Sequence, residues 1–353
     1  MPSALNANKE TQEDDTRLGP EKKTFRSGQT ITRLVEIKTV RYVLQRKIGE
    51  SKNGAVFEAL NDRKELFALK FEWRGSEKVD PRLGMEIAIL RHVRQNTVSP
   101  HFVDFFMVTT LLAENLQRKL DATKGRMFSK HTAVGVGLQV LDALRELHSL
   151  GYVHRDIRPH NLNPGLDEKS HVIFLMNFGQ AAVYRKGNKT RKPRAHVPMK
   201  GHPLYCSLSA HLSKEQSPKD DVESLLMTIG AMANGLPWTD QMAVEAIGST
   251  KGKLRNDESI YGALFHGMNP KVFRDLLVML DNKSYYDTVD YDAIKNTITA
   301  AAASAGVTNL NLNFDWEPKS ASQSSRSLRD LKKATEEESD SASSRVESKM
   351  KFD

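Results

Sequence analysis

The chain has little cysteine and no long apolar run. Its single cysteine, Cys206, cannot form an internal disulfide, which is typical of a protein from a reducing compartment. Nowhere do about 18 apolar residues follow one another, as a membrane-spanning helix requires. Residues 1–30 also lack the apolar core of a signal peptide. We therefore expect a protein of the cytoplasm or the nucleus, without a membrane segment.

Aromatic residues are also few, at 7%, whereas cations are in excess and give a formal net charge of +8. Part of this excess lies between Gln180 and Lys200, where seven residues are basic and none is acidic: Arg185, Lys186, Lys189, Arg191, Lys192, Arg194 and Lys200. Guanidinium groups suit phosphate, so loop 185–200 favours acidic or phosphorylated protein partners. A solvated basic loop is the alternative. No aromatic ladder or metal-finger spacing accompanies it, so nucleic acid is the less favoured partner.

The two ends of the chain are polar and differ from the middle. The N-terminal residues include "KETQEDD", and the C-terminal residues include the serine-rich runs "SASQSSRS" and "ESDSASS". Such composition cannot bury enough apolar surface to order the chain. The expected organisation is a disordered arm at 1–36, a strand-rich lobe at 37–112, a helical lobe at 113–300 and a mostly disordered tail at 301–353.

The middle of the chain changes from a strand pattern to a helix pattern. Short β-rich runs such as "GAVFEAL" and "LFALKFEW" come first, interrupted by one segment in which Met85, Ile89 and Val93 recur on one helical face. Helical spacing then dominates, beginning with "TAVGVGLQVLDALRELHSLG" and continuing at 219–234 and 270–281. A strand-rich lobe followed by a larger helical lobe predicts an α+β, bilobal architecture.

Two features of the strand-rich lobe are suited to phosphate binding. "KIGESKNGAVFEA" contains Gly49, Ser51, Gly54 and Val56, which fit a glycine loop between two strands, although a plain hairpin explains the pattern equally well. In "LFALK", the alternation puts Lys70 near the end of a strand. The helical "GMEIAIL" offers Glu86 as its partner, and such a pair would hold the amine where it can meet the α- and β-phosphates.

The segment "HRDIRPHN" is more specific. Asp156 follows a long helix and precedes Asn161 by five residues, so one loop can present a carboxylate to a substrate hydroxyl and an amide oxygen to a metal. Downstream, an apolar run ends in Asn177-Phe178-Gly179. The two stretches together predict the halves of a phosphoryl-transfer site.

With these motifs the chain resembles the eukaryotic protein kinases, and within them the casein kinase 1 and tau-tubulin kinase branch. The matching stretches are "KFEW", "GMEIAILRHV", "TTLLAENL", "SLSAH", "KDDVESL" and "GLPW", over about residues 40–298. The resemblance implies the kinase fold, ATP and a magnesium or manganese ion. It also implies roles for particular residues: Lys70 and Glu86 position the nucleotide, Thr109 and Leu111 lie at the gatekeeper and hinge, Asp156 is the catalytic base, Asn161 and residue 177 hold the metal, and Asp221 braces the catalytic loop.

The chain departs from this family pattern at four positions. Asn177 stands where the family has the metal-binding aspartate, which leaves two neutral amides for a cation that prefers carboxylates. Arg158 replaces a lysine near the γ-phosphate and keeps the charge with a different geometry. His202 replaces a threonine that contacts the catalytic aspartate, and Leu204 replaces an arginine used to recognise phosphorylated substrates. Two readings follow: a serine/threonine kinase with impaired transfer, or a pseudokinase that acts as a binding module.

Overall fold

The computed structural model describes residues 30–35, 38–51, 54–72, 82–97, 100–101, 108–308, 310 and 314–317. The chain divides between Pro81 and Arg82 into two compact units. No helix in the described part of the chain is both long enough and apolar enough to cross a bilayer.

The first unit contains a sheet of consecutive antiparallel strands. Its strands are β1 (Thr30–Val35), β2 (Lys38–Ser51), β3 (Gly54–Asn61) and β4 (Leu66–Glu72). The inward positions Leu44, Phe57, Ala59 and Leu69 are buried, as the alternation predicts. Strand β1 pairs with β2 although it lies within the residues assigned to the N-terminal arm.

The second unit is mostly helical. Its helices are α1 (Arg82–Asn96), α2 (Leu116–Ala122), α3 (Lys130–Ser149), α4 (Leu208–His211), α5 (Pro218–Asn234), α6 (Val244–Lys253), α7 (Glu258–Leu264), α8 (Pro270–Asp281) and α9 (Tyr291–Ser304). Its short strands are β5 (Val108–Thr110), β6 (Tyr152–Val153), β7 (Leu162–Pro164), β8 (Ile173–Leu175), β9 (Ala182–Val183), β10 (Arg185–Lys186) and β11 (Lys189–Thr190). Strand-rich and helical parts thus follow one another, and the α+β class is confirmed. Helix α1 groups with the helical unit, whereas the sequence placed it in the strand-rich lobe.

Helices α3 and α5 form the centre of the second unit. Ser129 caps α3 by accepting a hydrogen bond from the backbone N–H of Thr132, and Ser217 with Asp220 forms a capping box at α5. The two helices approach closely because Gly137 has no side chain: a Cβ there would lie 2.4 Å from Cδ1 of Ile229. This pair of helices positions the loops that follow β6 and precede α5.

The C-terminal bound of the helical lobe lies further along the chain than expected. Helix α9 continues to Ser304, and Phe314 is buried at 1% exposure. The backbone N–H of Ser129 donates to Asp315 Oδ2 at 2.6 Å, and Trp316 Nε1 donates to the carbonyl of Ser170 at 3.1 Å. Residues 314–317 therefore form a strap across the start of α3, inside the residues predicted as tail.

Candidate active site

The loop after β6 carries the predicted catalytic aspartate and is held by Asp221 at the start of α5. Asp221 Oδ2 accepts from the backbone N–H of His154 at 2.6 Å, and Oδ1 accepts from the backbone N–H of Arg155 at 2.7 Å. Arg155 has φ 67°, a conformation that this pair of hydrogen bonds maintains. The structure thus places Asp221 in the bracing position that the resemblance implies.

Asp221 is itself part of a buried chain of hydrogen bonds. His148 Nε2 lies 2.8 Å from Asp221 Oδ2, and His148 Nδ1 lies 2.6 Å from the hydroxyl of Tyr291. Burial opposes the charge of Asp221, but the hydrogen bond from His148 and those from the backbone outweigh it, so the pKa of Asp221 lies below its usual value. Burial raises the pKa of Tyr291, so its hydroxyl stays protonated and donates to His148. No sequence pattern predicted this series of hydrogen bonds, because His148 and Tyr291 are far apart in sequence.

Both carboxylate oxygens of Asp156 are engaged by neighbouring side chains. Arg158 Nε donates to Oδ1 at 3.1 Å, and Asn161 Nδ2 donates to Oδ2 at 2.8 Å and to the Asp156 carbonyl at 2.7 Å. The Asp156 side chain keeps 12% exposure. The carboxylate is therefore held in one orientation with one edge toward solvent, as a group that receives a substrate hydroxyl needs to be.

The two predicted metal ligands, Asn161 and Asn177, bind each other. Asn177 Nδ2 donates to Asn161 Oδ1 at 2.7 Å. The orientation of both amides follows from the network: Asn161 faces two acceptor oxygens of Asp156, so its NH₂ points there and its oxygen points to Asn177. Asn177 adopts left-handed backbone angles, φ 64° and ψ 63°, which asparagine tolerates well. The next residue, Phe178, is fully buried and packs edge-on against His154.

This donor set does not fit a divalent cation. The oxygen of Asn161 that would coordinate the ion already accepts from Asn177, and both residues are neutral amides. Magnesium and manganese select carboxylate, carbonyl and water oxygens, and a carboxylate also offsets their charge. Within the described ranges, no group of three or more histidine, cysteine, aspartate and glutamate side chains is placed to hold a metal.

The predicted nucleotide residues are distributed over both units. In the first unit β2 and β3 form a hairpin that pairs Gly49 with Val56 and Ser51 with Gly54, and Lys70 of β4 lies across from Val56. These strand pairings agree with a glycine loop between β2 and β3. The tip of that loop, residues 52–53, lies outside the described residues.

The remaining nucleotide residues belong to the second unit. Glu86 is buried on α1 at 2% exposure, Leu111 is buried, and Thr109 lies on β5. The pairing of Lys70 with Glu86 stays a prediction, because the two residues belong to different units.

The segment before α4 is held by a buried lysine that the sequence did not single out. Lys251 Nζ donates to the carbonyls of Pro203 at 2.7 Å and Cys206 at 2.6 Å, and Trp238 Nε1 donates to the carbonyl of Leu204 at 2.9 Å. Burial lowers the pKa of Lys251 to about 8. The Leu204 side chain packs against the apolar core, so this position contributes to folding, in keeping with the loss of the family's arginine.

His202, the substitute for the family's threonine, does not take over its contact. Its Nδ1 accepts from the backbone N–H of Leu204 at 3.3 Å, and in the described part of the chain no hydrogen bond joins it to Asp156. Burial and the nearby Arg158 lower the pKa of His202. The imidazole is therefore neutral near pH 7 and stabilises the turn that contains it.

The basic loop is only partly available to partners. Arg185 donates to the carbonyl of Ser149 at 2.5 Å, and Arg191 donates to the carbonyl of Val183 at 3.3 Å. Arg194 forms a two-pronged ion pair with Glu215, at 2.5 and 3.0 Å. Arg155 Nη1 lies 4.0 Å from the same carboxylate. The loop therefore cannot be counted as seven free cations, a point that the charge pattern alone could not reveal.

The comparisons with known proteins agree with this geometry. A family model described as the protein kinase domain matches residues 42–256. The chain is 29% identical over 265 residues to the serine/threonine-protein kinase spe-6 of Caenorhabditis elegans, a match that covers 72% of this chain and 69% of that protein. It is 30% identical over 299 residues to casein kinase I homolog 2 of Saccharomyces cerevisiae, covering 78% of this chain and 52% of the relative.

A third relative, casein kinase I homolog 3 of Schizosaccharomyces pombe, is 28% identical over 296 residues, covering 78% of this chain and 65% of that protein. Across seven of the curated relatives that it matches, the chain spans from 52% to 82% of their length. Protein kinase domains in general use ATP and divalent metal ions. The sequence motifs, the α+β fold and these matches together show that the chain belongs to the eukaryotic protein kinase superfamily, in its casein kinase 1 branch.

Proposed function

We propose that this chain is a casein kinase 1-like serine/threonine protein kinase whose phosphoryl transfer from ATP to protein is impaired at residue 177. Asp156 receives the proton of a serine or threonine hydroxyl, and Arg158 contributes positive charge near the transferred group. Lys70 and Glu86 position the nucleotide. The competing candidate is a catalytically inactive pseudokinase that uses the same fold to bind nucleotide or protein partners.

The arrangement around Asp156 supports a site that still orients a substrate. Asp221 fixes the backbone of the loop through two hydrogen bonds of 2.6 and 2.7 Å. Arg158 and Asn161 then fix the carboxylate itself. Preorganised groups of this kind lower the barrier without rearrangement during the reaction. A binding module has no need for an aspartate held in this way.

The single observation that carries the impairment is the hydrogen bond from Asn177 to Asn161. It uses the oxygen that would hold a cation, so magnesium or manganese is held weakly. Metal stabilisation of a transferring phosphoryl group is worth several kcal/mol, and a loss of roughly 3–5 kcal/mol lowers turnover by two to four orders of magnitude. The same observation favours the pseudokinase if the remaining rate is negligible.

The proposed protein partners are acidic or phosphorylated, and they dock at loop 185–200. Lys186, Lys189 and Lys192 are exposed there, whereas the arginines of the loop contact the protein itself. A cytoplasmic or nuclear location is part of the same proposal and follows from the single cysteine. Reversing the three lysines to glutamate is expected to weaken binding of an acidic protein and to flatten its salt dependence.

The test is phosphoryl transfer to an acidic protein substrate, with magnesium and then with manganese. Three full-length proteins are compared: the native chain, Asn177→Asp and Asp156→Ala. We expect slow transfer by the native chain, none by Asp156→Ala, and a rate higher by about 10² to 10⁴ in Asn177→Asp. A native rate no higher than that of Asp156→Ala, together with a gain in Asn177→Asp, selects the pseudokinase.

Two other outcomes contradict the proposal. Fast native transfer that Asn177→Asp does not increase shows that the amide is no obstacle. If none of the three proteins transfers phosphate, although circular dichroism shows that each is folded, residue 177 is not what limits the chemistry. Arg158 and His202 are then the positions to test.

A further inference from the structure

We propose that this site takes up a nucleotide as the free anion, without a divalent cation, because the amide of Asn177 replaces the cation as the partner of Asn161. The inference deepens the proposed function and rests on it, since it presupposes that the chain binds nucleotide. It concerns the form of the ligand, which the proposed function leaves open.

An aspartate and an asparagine at residue 177 create opposite requirements. The oxygen of Asn161 points to residue 177, at a distance of 2.7 Å from the nearer side-chain atom. With an aspartate there, two acceptor oxygens would face each other, and a cation between them would remove the repulsion. With Asn177, a donor faces an acceptor and the contact is complete. Asparagine at residue 177 therefore removes a carboxylate ligand for the ion, and it also removes the repulsion that an ion would relieve.

A cation that entered would have to break a connected set of hydrogen bonds. Asn161 is 1% exposed, and its NH₂ group donates to both the carbonyl and the carboxylate of Asp156. A cation that shared this oxygen through its second lone pair would lie against the positive N–H of Asn177, so a stable ion requires the bond from Asn177 to break. Asn177 precedes the fully buried Phe178 and has a left-handed backbone, which restricts how its side chain can move away. The native network thus competes directly with metal.

The chain supplies positive charge of its own next to this network. Arg158 uses Nε to bind Asp156 and keeps 24% exposure. In the part of the chain that the structure describes, its two terminal amino groups make no hydrogen bond. A guanidinium offers five N–H donors in a fork that matches phosphate oxygens. Arg158 is therefore placed to meet a phosphate that arrives without a metal.

The experiment measures ATP binding to the full chain by calorimetry, once with excess EDTA and once with excess magnesium. Asn177→Asp restores the carboxylate, and Asn256→Asp is a control that adds the same charge at an exposed residue outside the site. We expect the native chain and the control to bind ATP with dissociation constants that agree within about twofold in the two buffers. We expect magnesium to tighten binding to Asn177→Asp by about tenfold or more.

The outcomes separate this inference from the function on which it rests. Native binding that requires magnesium overturns the inference and leaves the kinase proposal standing. If the native chain binds ATP in neither buffer but Asn177→Asp binds it with magnesium, the inference is overturned. The chain then has a nucleotide site that Asn177 prevents from binding. No binding by any folded variant overturns both the inference and the proposal that the chain uses ATP.

Discussion

Glu215 and Arg194 form an ion pair in which both carboxylate oxygens receive guanidinium nitrogens, at 2.5 and 3.0 Å. The Glu215 side chain is 12% exposed, and the bond from Arg194 holds its pKa below the usual value. Arg155, next to Asp156 in the chain, lies 4.0 Å from the same carboxylate. In many kinases a phosphate added to the activation segment makes contacts of this kind. Here a residue of the chain itself supplies the negative charge.

Removing the charge of Glu215 is expected to loosen the basic loop. In Glu215→Gln, Arg194 loses its charged partner, and residues 185–194 become easier to cleave with trypsin, which cuts after lysine and arginine. We expect cleavage in this loop to become faster by about fivefold to tenfold, as a loss of about 1 kcal/mol or slightly more implies. The rate is read from the fragments by mass spectrometry.

The control for this measurement is Glu168→Gln, which removes the same charge from an exposed residue. Sulfate ions should partly protect a Glu215→Ala variant, because they can bind the two arginines in place of the carboxylate. Equal cleavage of the native chain and Glu215→Gln would show that the ion pair does not hold the loop.

Replacing Asp221 by asparagine is expected to destabilise the second unit by about 2–4 kcal/mol, because an amide cannot accept from His148, His154 and Arg155 together. Urea unfolding followed by fluorescence gives the free energy of unfolding. Asp275→Asn removes a carboxylate from a surface ion pair and should cost less than about 1 kcal/mol. A similar effect of the two substitutions would contradict the bracing role of Asp221.

Lys251 is expected to make the free energy of unfolding depend on pH. Its pKa falls from an ordinary value near 10.5 to about 8 in the folded chain. Between these values the unfolded chain binds more protons than the folded chain, so the unfavourable contribution of this group shrinks as pH rises. Raising the pH from 7.5 to 9.5 should therefore stabilise the native chain by about 2 kcal/mol relative to Lys251→Met.

The comparison with Lys251→Met separates the lysine from its neighbour. Cys206 Sγ lies 4.0 Å from Lys251 Nζ, and burial raises the pKa of this thiol, which makes stability fall with pH in an overlapping range. Because Lys251 itself lowers the pKa of this thiol, the two proteins are compared in a Cys206→Ala background, where the difference between their pH profiles reports the lysine. Parallel profiles would rule out the lowered pKa.

The strap at residues 314–317 is expected to contribute to the stability of the second unit. Phe314 is 1% exposed, and its ring centroid lies 5.1 Å from that of Trp316, whose ring in turn packs against Phe128. Phe314→Ala should lower the free energy of unfolding by about 3–5 kcal/mol, as for other fully buried aromatic residues. Tyr286→Ala, at a side chain that is 56% exposed, is the matched control. If Phe314→Ala and Tyr286→Ala lowered the free energy of unfolding by similarly small amounts, the strap would not stabilise the second unit.

Local patterns in the sequence were enough for much of the fold. The spacing of Met85, Ile89 and Val93 predicted α1, and the two latter residues are fully buried. The helical spacing of apolar residues also predicted helix α3 and helix α5. These features depend on neighbours in the chain, which a pattern can report.

The contacts that decide the chemistry join residues that are distant in sequence. Asn161 and Asn177 were both identified as candidate ligands, but their hydrogen bond to each other appears only once β7 and β8 pair and bring the two loops together. Glu215 was missed because nothing near it in sequence indicates that it meets Arg155. The number of cations that the basic loop offers to partners was overestimated for the same reason. A count of charges does not show which arginines bind other groups of the protein.

If the amide at residue 177 takes the place of a divalent ion, the site should bind metal weakly. Electron paramagnetic resonance can measure the affinity of Mn²⁺ for the full chain saturated with ADP, in the native protein and in Asn177→Asp. We predict that the native chain binds Mn²⁺ more weakly than Asn177→Asp by about tenfold or more. Equal affinity of the two proteins would show that the hydrogen bond between Asn161 and Asn177 yields readily to metal, and would contradict the account.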